Sequence, residues 1–147
     1  MGSYIVIADI SNAIDARTLI AITDDTQSGA KDDDIINAAI DRAEGWFNAG
    51  VERRYSTPIV SPGGDVEDMC IQKTILILYA RKGTLPDYWK NIGRDLEEKL
   101  LKISSGEIWL SGVKTEKPLP AVDTQINDGD FDCNIWDSGR SDYLGGF

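Results

Sequence analysis

Six apolar side chains, Leu85, Trp89, Ile92, Leu96, Leu100 and Ile103, fall at i, i+4, i+7, i+11, i+15 and i+18. In a strand such a set would scatter over both faces, whereas at helical pitch all six land on one stripe. A helix with so long an apolar stripe needs partners to bury it. The chain supplies one in Ile36, Ile40, Ala43, Phe47 and Val51, spaced by four, three, four and four, with Ile35, Ala39 and Trp46 widening the stripe. It supplies a second in CIQKTILILYA, residues 70–80, which is apolar on more than one face and therefore belongs in the middle of a bundle.

Local signals bound these helices. Asp32, Asp33 and Asp34 open the first, and Arg53 and Arg54 stand at its close, as the helix dipole favours. Pro58 and SPGG at residues 61–64 then stop helical structure. The next helix is expected over residues 65–82, with Asp65, Glu67 and Asp68 in its first turn and Gly83 beyond its last. TLPD at residues 84–87 opens the following one with Thr84 as cap, and Gly106 ends it. Two short helices are expected earlier, capped by Asp9 (carrying Ile10, Ala13 and Ile14) and by Asp15 (carrying Leu19, Ile20 and Ile22). TDDTQSGAKDDD between them and the first long helix reads as a loop. The fold expected is all-α: a small bundle of two short N-terminal helices and three longer ones over residues 1–111. Residues 112–147 lack a helical period and are read as an extended or disordered arm, although they carry Phe131, Trp136, Tyr143 and Phe147.

Charge narrows the function. The net charge is −10, of which residues 1–111 carry −6 and residues 112–147 carry −4. A nucleic-acid binder on such a background needs a concentrated basic patch, and the densest basic clusters are the pairs Arg53-Arg54 and Arg81-Lys82. The chain has no histidine, which removes the commonest general base and metal ligand near neutral pH. No apolar run is long enough to cross a bilayer, and the N-terminus lacks a basic region with a cleavage site, so no membrane association and no secretory signal are expected. Cys70 and Cys133 lie in different contexts and are read as free thiols.

No candidate for chemistry outweighs its structural explanation. Placed on an EF-hand frame, Asp24 leads to Thr26, Ser28 and Gly29 at suitable positions, but the twelfth position is Ile35 where a bidentate glutamate is needed. A capped loop is the simpler reading. Asp128, Asp130 and Asp132 alternate in the arm, without the rigid surroundings a catalytic carboxylate pair requires. Cys70, flanked by Met69 and Ile71, reads as a small core residue. No enzyme activity, cofactor or metal is expected.

The order and spacing of several short motifs resemble phage head–tail connector (adaptor, or head-completion) proteins of the Mu-like prophage type. Those motifs are Ala39, Ala43, Phe47, Arg54, Tyr55 and Pro58; then Ile75, Leu78 and Tyr79; then Leu100, Ile103, Gly106 and Leu110. The ending Ser141, Asp142, Leu144, Gly146 and Phe147 is similar as well, and the resemblance covers residues 4–111. It implies a subunit of an oligomeric ring at the virion neck, made in the host cytoplasm. Its partners would be the portal protein, a neck, stopper or tail-completion protein, and further copies of itself. DNA would pass through the ring without specific binding. The residues expected at partner contacts are Arg53, Arg54, Tyr55, Phe131, Trp136, Tyr143 and Phe147. A small DNA-binding packaging factor like the small terminase subunit is the alternative, and it calls for a basic N-terminal motif where residues 1–23 hold only Arg17.

Overall fold

The computed structural model describes residues 2–113. They form α1 (Ile7–Ala13), α2 (Ala16–Thr23), α3 (Asp33–Val51), α4 (Gly64–Lys82) and α5 (Asp87–Ser105), and no strand occurs among the described residues. The all-α bundle of two short and three long helices is therefore the fold. Phe131, Trp136, Tyr143, Phe147, Cys133 and nearly all of the segment read as an arm lie outside the described residues.

The expected stripes supply much of the core, with Leu85, Trp89, Ile92, Ile35 and Trp46 only partly buried against it. Ile36, Ile40, Ala43, Phe47 and Val51 of α3 are completely buried, and Leu96, Leu100 and Ile103 of α5 are buried against them. α4 runs between, touching every other helix, and buries Val66, Met69, Cys70, Thr74, Ile75, Leu76 and Leu78. A helix surrounded in this way needs apolar residues all round, which explains why residues 70–80 show no single polar face. α3 and α5 approach most closely where Gly50 faces Leu100; a methyl group at Gly50 would collide with that leucine. On the outside of the same junction, the Lys73 ammonium lies 4.3 Å from the centre of the Trp46 ring and 2.6 Å from the Glu97 carboxylate. Trp46 is thus a surface clasp over three helices, and its neighbour Phe47 is core.

The N-terminal segment is anchored by a residue that the apolar periodicity does not reveal. Glu44 is buried within α3, and its carboxylate accepts the backbone N–H groups of Ser3, Tyr4 and Ile5 at 2.7, 2.8 and 3.2 Å. Charge-assisted bonds of this kind offset the cost of burying the carboxylate. Beside it the Tyr4 hydroxyl donates to Asn48 Oδ1 at 2.5 Å and accepts from the Ile59 N–H at 2.8 Å.

Three helix ends differ from expectation. Asp9 does not cap α1; Val6 holds that position, and the Asp9 carboxylate reaches back from the first turn to the Val6 N–H at 2.8 Å. Thr84 does not cap α5, because Pro86 disfavours helical backbone at Leu85 and the helix begins only at Asp87. α3 ends at Val51, so Arg53 and Arg54 lie beyond its last turn. Asp15 and Asp32 do cap α2 and α3, and Gly83 and Gly106 end α4 and α5 in the left-handed conformation.

Candidate functional site

The C-terminus of α3, the N-terminus of α4 and the C-terminus of α5 meet at one end of the bundle. Two irregular segments cover it: the loop of residues 52–63 and a strap of residues 106–113. The strap starts where Gly106, at φ 90°, turns the chain off α5. The backbone N–H groups of Gly106, Glu107 and Ile108 all converge on the Lys102 carbonyl. The chain then crosses the bundle end, where the Leu110 N–H donates to the Tyr55 hydroxyl at 3.3 Å and the Ser111 hydroxyl donates to Asp65 at 2.9 Å.

Beneath the strap lie two residues expected on the surface. Tyr55 is completely buried, and Arg54 is 6% exposed. The Arg54 guanidinium donates to the Ile103 carbonyl at 3.4 Å and lies 4.8 Å from the centre of the Trp109 ring, which stacks over it from outside. Gly106 has to be glycine twice over: its φ is positive, and a Cβ there would strike that guanidinium. Arg54 and Tyr55, expected at a partner contact, are thus covered by the chain's own strap. The chain returns after α5 and covers them, and a strap arriving from fifty residues away leaves no local sequence signal. Arg53 is exposed.

Around this buried pair exposed apolar side chains stand among polar and charged ones. Val60 is 89% exposed and Trp109 is 60% exposed. An open groove of about 390 Å³ is lined by Ser56, Pro58, Ile59, Val60 and Ser61 of the loop and by Gly112 and Val113 of the strap. Neither Val60 nor Trp109 was singled out from sequence; Trp109 stands beyond the last helical stripe, where periodicity has nothing to say.

The opposite end carries charge. Asp24 accepts the backbone N–H groups of Thr26, Ser28 and Gly29 at 3.1, 3.0 and 2.7 Å, which closes the loop once compared with a calcium site and lowers the Asp24 pKa through the Gly29 N–H first. Asp25 pairs with Arg81 and with Lys82, the latter at 2.8 Å, and Arg81 above all holds its carboxyl down at about 2. Both basic pairs noted in the sequence are thus at least partly engaged within the fold, Arg81-Lys82 by Asp25 and Arg54 by the strap. Cys70 is completely buried, and burial, with the Glu44 charge second, pushes its thiol up to about 12. It packs within the core. Among the described residues no group of three or more His, Cys, Asp or Glu side chains could hold a metal ion, and no helix is long and apolar enough to cross a membrane.

A model of the family Bacteriophage Mu, Gp36, matches residues 4–127. The chain belongs to this family. It is a phage protein, and the match takes in the whole bundle and the strap. It also runs past residue 111, so part of the segment read as an arm lies within the region that defines the Gp36 family. No curated protein matches the sequence.

Proposed function

We propose that this Gp36-family protein is a structural virion component whose copies form a ring, matching the twelve-fold portal of the capsid, that joins the portal to the neck or tail and extends the DNA channel. The observation that carries the reading is the family match over the whole helical bundle, whose strap end presents exposed Val60 and Trp109 beside an open groove. An excess of acidic residues suits a channel through which DNA slides without being held. The portal, a neck, stopper or tail-completion protein and neighbouring copies are the partners this role requires. The packaging-factor alternative loses ground because Arg54, Arg81 and Lys82 are occupied inside the fold.

The test is the native mass of the purified protein, alone and mixed with the portal of its own phage. Discrete complexes holding twelve copies are expected. A protein that stays monomeric with the portal present, and is missing from tailed particles, would overturn the proposal.

A further inference from the structure

We propose that the N-terminal segment, residues 2–6, is a latch for the strap end: by holding the Ile59 N–H it fixes the loop that forms one side of the groove. The inference does not rest on the ring reading, because it concerns how one chain shapes its own surface.

The loop has few fastenings of its own. Within residues 56–62 only Ile59 is buried, and Val60 beside it is 89% exposed. Among the described residues, the backbone of 56–62 makes one hydrogen bond, from the Ile59 N–H to the Tyr4 hydroxyl at 2.8 Å. Ser61 is held at φ 60°, a left-handed backbone that residues other than glycine adopt at a cost. A stretch with so few buried contacts opens locally unless something outside it holds it closed.

The N-terminal segment is built to be that hold. Its backbone is gripped by the Glu44 carboxylate through the N–H groups of Ser3, Tyr4 and Ile5. The Tyr4 ring packs edge-on against Phe47, with centroids 5.9 Å apart. Fit is tight enough that a Cβ at Gly2 would collide with the Glu44 carboxylate and the Ile40 side chain. Asn48 then aims the hydroxyl: its Oδ1 takes the Tyr4 proton, which leaves the oxygen's lone pairs to accept the Ile59 N–H. A relay from Asn48 through Tyr4 to Ile59 thus joins α3, the segment and the loop. Tyr4 and Ile59 are 55 residues apart, so this bond forms only when the segment is seated on α3. Whatever unseats the segment therefore also frees the loop.

The test is residue-resolved amide exchange by NMR on two full-length variants. Tyr4→Phe keeps the ring against Phe47 and the Glu44 bonds but removes the acceptor. Exchange at Ile59 should rise about tenfold, with residues 3–5 still protected. Gly2→Ala disturbs the segment from its other end, where it presses on Glu44 and Ile40. Faster exchange is expected at residues 3–5 and at Ile59 together, with the Val60 and Ser61 amide resonances shifted and those of Gly29 and Ala30 at the opposite end unmoved. Unchanged exchange at Ile59 in Tyr4→Phe would overturn the inference. So would a Gly2→Ala protein in which residues 3–5 loosen and Ile59 stays protected. Equal acceleration at Ile59 and at Leu78 inside α4 would also overturn it, since the whole bundle rather than the loop would then be opening.

Discussion

Where α3 begins and α4 finishes, the chain is held by carboxylates in water: Asp24 gathers the N–H groups of its own loop, Asp32 caps α3, and Asp25 pairs with Arg81 and Lys82. Where α3 finishes and α5 ends, an exposed Ser111–Asp65 bond is joined by buried ones between distant segments, Arg54 to Ile103 and Leu110 to Tyr55. Both ends satisfy backbone groups left over by helices. The difference is what else each can do. An end closed by exposed ion pairs is weakly stabilised and screened by salt. An end closed from within frees its outer surface, and there Val60, Trp109 and the groove face solvent.

Four measurements would break or sharpen this contrast. The largest effect is expected for Tyr55→Ala, which empties a completely buried ring site and should lower unfolding free energy by about 3–5 kcal/mol. Tyr55→Phe keeps the ring but leaves the Leu110 N–H without its acceptor, and about 1 kcal/mol is expected. Denaturant unfolding measures both, and equal losses would show that the hydroxyl, rather than packing, holds the strap.

A matched pair of glycines compares the ends directly. Gly83 closes α4 at the charged end with φ 71° and open space around it, so Gly83→Ala should cost only the left-handed strain, about 1–2 kcal/mol. Gly106→Ala meets the Arg54 guanidinium as well and should cost about 1–3 kcal/mol more. Indistinguishable midpoints for the two variants would mean that Arg54 moves aside freely and the strap end is not tightly closed.

Asp25→Asn should change stability little at neutral pH, because the pair it breaks is exposed. Its pH dependence is the sharper readout. The folded-state pKa, about 2, lies below the unfolded value of about 3.9, so the stabilisation is present above the unfolded value and is lost as pH falls through the folded one. The gap in melting temperature between the wild type and Asp25→Asn should therefore close over that interval, and should also shrink in high salt. A gap that persists at lower pH would point to a contact other than charge.

The smallest effect expected is on DNA. With Arg81, Lys82 and Arg54 engaged inside the fold, the free protein should not shift duplex DNA at physiological salt. Tight, steeply salt-dependent binding would mean that one of the two ends opens to release its arginines.

What this sequence determined by itself was whatever depends on neighbours within a turn or two. Apolar spacing in residues 35–51 and 85–103 set two helices and their buried faces, the all-round apolar character of residues 70–80 placed α4 at the centre, and Asp15, Asp32, Gly83 and Gly106 marked helix ends. These are local devices, and their signals survive without a fold. Tertiary structure decided the rest. Glu44 looks like a polar interruption of α3 until the N-terminal segment, forty residues earlier, brings three N–H groups to it. Arg54 and Tyr55 look like a charged, aromatic surface until residues 103–110 cover them. Trp109 covers Arg54 only because the chain returns across that guanidinium after α5. A side chain's partners at such separations depend on where the chain returns, and no property of the residue or its immediate neighbours encodes that.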